Sequence, residues 1–472
     1  MEVRYLMNQK VNEWIDSHTR ELLDDIKRLC SVPSVRGKAE EGKPYGDGPY
    51  RSLNLGLTIA DQYGFVTRNY ENHVGTADFD PSLPKYLDIL AHTDVVPAGE
   101  GWTVTEPFEI IEKDGRLYGR GTSDDKGPLM CALYAMRALK ETGVSLTKGV
   151  RLIMGADEEC GSSDIRYYYG IEPEAEMTFS PDGDFPLINI EKGMLHGTIS
   201  KTYEEDKGLP RILSLDAGLA LNAVPQKAIL KFEGLDLSSE KVKEAMEEIQ
   251  EQCQVTCRIS GENEITVLGT SAHASTPEMG KNAGLAAVLL ATKLPLSPSE
   301  SLSYLTKITE LFPYGVTDGS GIGIKMSDAE SLDLTCTLDL FHVDPVSMEF
   351  KFDSRTPIMA NKENCQDAAI RVIEAAGFDC MDFAMVPPHV VPEDSPFIKT
   401  LLKSYETVSG LKGECLSTGG GTYVHNIKNG VAFGAVMPGI DTNMHGADEF
   451  FDIDNIVLAT KIFAEAIQNL CK

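Results

Sequence analysis

Two histidines and a set of carboxylates stand where the chain could do chemistry. They are His92 and Asp94, Asp124 and Asp125, Asp157-Glu158-Glu159, Asp182, and His445 near the end. Each follows an apolar run or lies in a glycine-containing loop. Imidazole and carboxylate without thiolate suit Zn²⁺, Mn²⁺ or Co²⁺ in a catalytic site, because structural zinc prefers cysteine-rich cages. Charge favours two ions. Asp124, Glu159 and Asp182 with two neutral imidazoles leave one positive charge against two divalent cations, and one bridging hydroxide would neutralise it. Packed together without cations, these carboxylates would repel one another and shift upward in pKa. Each residue also has an ordinary use. A strand-end histidine can be hydrogen-bonded at the surface, an Asp-Glu-Glu run can be a solvated turn, and Asp124 or Asp125 can cap a following helix.

The elements that must position these groups are readable from periodicity. Apolar positions from Val11 to Leu29 have helical spacing, and the pattern stops before Pro33. Leu53–Tyr63 is a second helix pattern. Tyr86–Leu90 is a short apolar strand running into Ala91-His92-Thr93-Asp94. Gly119–Gly127 is a Gly/Asp loop ahead of a helix over Pro128–Glu141. Val150–Met154 is a strand that runs straight into Asp157-Glu158-Glu159. Strands alternating with helices indicate an α/β sheet with polar residues gathered at carboxyl ends of strands. The texture changes near residue 190. Period-two stretches at Ala228–Phe232, Ile265–Leu268 and Leu332–Phe341 alternate with helices at Ser239–Gln252 and Asn282–Leu294, which reads as an α+β insertion on antiparallel strands. After about residue 385 the first texture returns, with a helix at Ser395–Ser409, a strand at Val431–Met437 and a final helix at Ile453–Leu470. The expected organisation is a discontinuous domain of residues 1–190 and 386–472, interrupted by a domain of residues 191–385.

The strings LAHTDVVP (90–97), GRGTSDDKGP (119–128), MGADEECGSSD (154–164) and FSPDGDFP (179–186), with Met444-His445-Gly446, resemble the M20 family of di-metal peptidases. Length, Asp182 and the large insertion are most similar to its PepV/Sapep-type bacterial dipeptidases. The resemblance implies a mixed sheet flanked by helices as the di-metal catalytic domain, interrupted by an α+β lid domain. It implies two divalent ions per chain, Zn²⁺ or Mn²⁺. His92 and Asp182 would bind one, Glu159 and His445 the other, and Asp124 both, with a cis peptide after Asp124. Asp94 would orient the His92 imidazole. Glu158 would be the general base, taking a proton from a metal-bridged water and giving it to the leaving amine. The implied activity is a metal-dependent dipeptidase acting on unblocked dipeptides. A deacylase or desuccinylase of N-acyl amino acids in the same family is the alternative.

Gly269-Thr270-Ser271-Ala272-His273 resembles the family's lid motif, which implies that His273 holds the oxyanion. A long lid that supplies this histidine within one chain makes a monomer the expectation. For the substrate, Asn222 in Leu221-Asn222-Ala223-Val224-Pro225 looks like the family's lid asparagine. Arg355 could form a bidentate pair with a carboxylate. Backbone N–H groups of Gly419, Gly420 and Gly421 could grip an anion. Composition bounds the rest. With 43 Lys+Arg against 72 Asp+Glu the net charge is −29, which disfavours nucleic acid and an anionic membrane surface as partners and leaves a small peptide as the expected one. No apolar stretch reaches the roughly 20 residues that a bilayer needs. The ten cysteines are scattered, as expected of reduced thiols in a cytoplasmic protein.

Overall fold

The computed structural model describes residues 2–472, with side chains from Asn8 onward. The chain divides into two compact units. The first comprises residues 1–190, 390–416 and 421–472; the second comprises residues 191–389 with 417–420.

In the first unit, four strands lie parallel: Gly149–Gly155, Lys85–His92, Met177–Ser180 and Gly430–Ala432, in that spatial order. Val74–Asp78 and Val66–Tyr70 extend the first edge antiparallel. The strands are buried on both faces and rich in Val, Ile and Leu, as parallel strands covered by helices must be. The helix Lys126–Glu141 is buried from Lys126 to Leu139 and packs against Glu2–Cys30 and Ile453–Cys471. Its burial explains why the 126–139 sequence is nearly free of charge. Phe179, Phe185, Phe433 and Phe463 stack in the same core, with centroid separations of 5.2–6.1 Å.

The order of these strands creates the site. From Lys85–His92 the chain crosses to Gly149–Gly155 on one side, then returns to Met177–Ser180 on the other. Successive crossovers therefore leave opposite edges of one strand, and a crevice opens at its carboxyl end. His92 is the last residue of that strand. A separate three-stranded sheet pairs Phe450–Asp452 with Arg116–Tyr118. This pairing brings the segment after His445 against the segment before Asp124.

The second unit is an eight-stranded antiparallel sheet, with Lys227–Glu233, Arg211–Ala217, Thr335–Val343 and Ser347–Thr356 at its centre. Lys227–Glu233 alternates buried and exposed residues, the period-two pattern of a half-buried strand. The helices Glu240–Cys253, Ala283–Lys293 and Glu300–Leu311 are amphipathic or apolar and bury Val242, Ile249, Leu290 and Ile308.

Most sequence-expected elements form within a few residues of their expected bounds. The strand expected over Val431–Met437 stops at Ala432. Gly434 takes a left-handed φ of 78°, which turns the backbone out of the ladder. Among the described residues no helix is long and apolar enough to cross a membrane, and the ten cysteines are free thiols.

Candidate metal centre

The crevice of the first unit gathers the strand-end residues. His92 closes its strand, and the turn Glu158–Cys160 follows Gly149–Gly155 by three residues. Asp182 lies two residues beyond Met177–Ser180. Asp124 and Asp125 precede the helix Lys126–Glu141, joined by a cis peptide.

Asp124 stands in the middle, and its two oxygens face different partners. Oδ1 is 3.1 Å from His92 Nε2, which is also 3.7 Å from an Asp182 oxygen. Oδ2 is 2.8 Å from His445 Nε2, which is 3.4 Å from a Glu159 oxygen. Two sets of three donors thus share one carboxylate. Ligand atoms of His92, Asp124 and Glu159 lie within 4.8 Å of one another.

Buried polar atoms normally find hydrogen-bond partners. His92 Nε2 and Glu159 Oε1 are buried and make no hydrogen bond within the protein. The charges press the same point. Burial pulls His92 down, but Asp124, Asp182 and Asp94 outweigh it and hold the imidazole well above the usual histidine range. Burial likewise lowers His445, yet Asp124 and Glu159 bring it up to about 11. Burial would raise Asp124, but His445 and His92 hold it well below the usual carboxylate range. Burial and Asp124 push Glu159 up to about 7. The pocket calls for positive charge, and protons on imidazole supply it when protein groups act alone. Divalent cations fit this donor set: all N and O, oriented inward, with three carboxylates around two imidazoles.

Neighbouring groups fix the geometry. His92 Nδ1 lies 3.1 Å from the backbone oxygen of Asp94 and 3.5 Å from its carboxylate. The Asp94 carboxylate accepts the N–H groups of Glu158 and Glu159, each at 3.2 Å. It therefore holds the turn that carries those two glutamates and lies slightly farther from the imidazole. Asp125 occupies the helix N-cap position without capping; its carboxylate accepts the His92 N–H at 3.0 Å. Burial, with Asp182, Glu159 and Asp94, raises Glu158 well above an ordinary glutamate against the pull of His92.

Two residues that sequence reasoning did not single out also belong here. Asp164 is fully buried and accepts from Ala156 N at 2.6 Å, Asp157 N at 2.9 Å and the Tyr423 hydroxyl at 2.5 Å. The Tyr423 ring meets that of His92 edge-on at 6.1 Å. The position of Asp164 inside the string MGADEECGSSD was the available signal.

The second unit assembles the remaining candidates among themselves. The backbone of Asn222-Ala223-Val224 pairs with Ala272-His273-Ala274. His273 Nδ1 accepts the Ser275 N–H at 3.1 Å, which puts the ring proton on Nε2. Arg355 makes its bidentate pair with Asp353 of the same strand, at 2.8 and 2.9 Å, and donates Nη1 to the Gly419 carbonyl. A fork expected to meet a ligand carboxylate is thus engaged by an internal one, while Nη1 and Nη2 each keep a further N–H. The glycine loop differs from an anion nest. None of Gly419, Gly420 and Gly421 has positive φ, and the Gly420 N–H goes to Thr418 Oγ1 at 3.1 Å. Gly419 is small for another reason: a Cβ there would lie 2.6 Å from Ser275 Cβ. Gly421 belongs to the first unit, apart from the other two.

Comparison with known proteins identifies the family. The sequence pattern described as peptidase family M20/M25/M40 matches residues 89–469. YtjP of Bacillus subtilis (strain 168) is 33% identical over 96% of this chain and 97% of its own. The Beta-Ala-Xaa dipeptidase of Lactobacillus delbrueckii subsp. lactis is 32% identical over 99% of each chain. Among solved structures, human carnosine dipeptidase 1 aligns over 98% of this chain and 99% of its own, with a TM-score of 0.58 at 14% identity, a likeness of fold. The match takes in the end of the strand that closes at His92 and runs past His445, and the relatives align over nearly their whole length, so the chain belongs to peptidase family M20/M25/M40.

Proposed function

We propose that this protein is a metal-dependent dipeptidase that hydrolyses dipeptides with a free amino group. The observation that carries the reading is Asp124, whose two carboxylate oxygens each face a separate His-plus-carboxylate pair in a member of a peptidase family. The Lactobacillus relative, which aligns along its whole length, is named for dipeptides that begin with β-alanine. That name supports small peptides as the substrate class.

In this reading His92, Asp182 and Asp124 hold one divalent cation, and Glu159, His445 and Asp124 hold a second. When bound, such ions polarise the scissile carbonyl and lower the pKa of water. Glu158 takes a proton from the attacking water and returns it to the leaving amine. Asp94 keeps Glu158 and Glu159 in register through their adjacent N–H groups. His273 is proposed to donate Nε2–H to the oxygen that becomes negative, and Asn222, Arg355 and the Gly419–Gly421 loop to contact the substrate's polar ends. The domain of residues 191–385 is proposed as the lid that carries His273, Asn222 and Arg355.

Glu158→Gln tests the assignment. The variant should bind Mn²⁺ as the unaltered protein does and lose turnover by several orders of magnitude. Loss of metal together with activity would show that Glu158 is a ligand rather than the base.

A further inference from the structure

Asp124 and His445 sit on neither a strand nor a helix, and they lie on segments far apart in sequence. His445 has a backbone φ of 63°, and its side chain is half exposed. Something else must set the distance between them.

Glu449 meets that need from the side of the Asp124 loop. It is fully buried. Its carboxylate accepts the Gly121 N–H at 3.1 Å, the Ser123 N–H at 3.0 Å, the Ser123 hydroxyl at 3.1 Å and the Asp124 N–H at 3.3 Å. The Glu449 backbone carbonyl takes the Gly119 N–H at 2.9 Å. The whole approach to Asp124 is thus strung on one residue, four positions beyond His445. Arg120 ties the other side. It is 1% exposed and donates Nη1 to Glu449 at 2.7 Å. Its Nη2 reaches the carbonyls of Gly446 at 3.1 Å and His445 at 3.3 Å, and those of Ala98 and Pro97 at 3.3 and 3.4 Å. The planar fork matters, because one nitrogen serves the carboxylate while the other serves the His445 loop. As an ion pair the two residues add no net charge to the centre.

We propose that the Arg120–Glu449 pair is a positioning device that fixes Asp124 against His445 and so sets the second cation position. The inference rests on the two-cation reading above. Neither residue belongs to the two donor sets that meet at Asp124. Groups that orient ligands in this way typically cost roughly 10–100-fold in metal affinity when altered.

The test is equilibrium dialysis of the full chain against graded Mn²⁺, counting bound ions, for the unaltered protein, Glu449→Gln and Arg120→Lys. Both substitutions keep approximate side-chain length, and Arg120→Lys carries the test alone if Glu449→Gln does not fold. The expected result is that the ion held with His445 binds roughly 10–100-fold more weakly, with a smaller loss for the other, because both share Asp124. Turnover should return as Mn²⁺ is raised, a rescue that general loss of structure would not give. Binding of both ions unchanged would overturn the proposal. Equal weakening of both ions without rescue would also overturn it, by showing a structural role only. If the unaltered chain itself binds fewer than two ions, the two-cation reading falls, and this proposal with it.

Discussion

Asp124 faces two imidazoles at once because a carboxylate has two oxygens and the surrounding backbone points them at His92 and His445. His92, Asp182, Glu159 and His445 were legible in the sequence, since each follows an apolar run or a glycine loop, where a polar group needs a reason to be. Asp164, Arg120 and Glu449 were not singled out. They act on backbone groups far away in sequence, and spacing carries no sign of that. The charges of the centre make a prediction. Glu159 is held up to about 7 and His445 up to about 11 in the field of the protein alone, so at neutral pH His445 carries a proton and Glu159 about half of one, and both must lose them to ligate a cation. Metal and proton therefore compete. Mn²⁺ affinity should fall as pH drops from 8 to 6, and binding should release protons. Calorimetry in buffers of different ionisation enthalpy measures that release directly. Binding without proton release would remove this electrostatic picture.

Elements were read well where periodicity was strong. Helix patterns at Pro128–Glu141 and Ile453–Leu470 fall within the helices Lys126–Glu141 and Ile453–Cys471, and the period-two stretch Ala228–Phe232 falls within the strand Lys227–Glu233. The order of strands was not in the pattern. The reversal around Lys85–His92, which opens the crevice, follows from which neighbours pair, and local sequence does not encode that. Asp164 shows how one residue supports an element. Its carboxylate satisfies two N–H groups that lead into the Glu158 turn and the Tyr423 hydroxyl. Asp164→Ala would leave these buried donors unpaired, at about 1–3 kcal/mol for each unpaired group. It should lower the thermal midpoint by several degrees and reduce kcat by displacing Glu158. Thermal melts of the metal-free protein, read beside kcat, separate the two effects. An unchanged midpoint would mean that water replaces the carboxylate.

At the scale of the molecule the two units have different sheets. One is mixed, with four parallel strands at its centre and helices on its faces, the other antiparallel. The shift from continuous apolar runs to period-two stretches near residue 190 marked that change in the sequence. The detail of the second unit was less legible. Arg355 read as a free fork, yet Asp353 two residues earlier on the same strand captures it. His273 belongs to the second unit, and its backbone N–H contact from Ser275 fixes the tautomer that an oxyanion donor needs. His273→Ala should lower kcat by roughly 10²–10³-fold with little change in bound metal. Steady-state kinetics with metal analysis checks this, and an undiminished kcat would take His273 out of the reaction.

The most direct measurement is amino-acid release from unblocked dipeptides, tripeptides and N-acetylated amino acids. The protein is first stripped with chelator and then restored with Mn²⁺ or Zn²⁺. The two-cation dipeptidase predicts no release without metal, and release from unblocked dipeptides once two ions are bound. Cleavage of only the N-acyl compounds, or release that persists without metal, would contradict it.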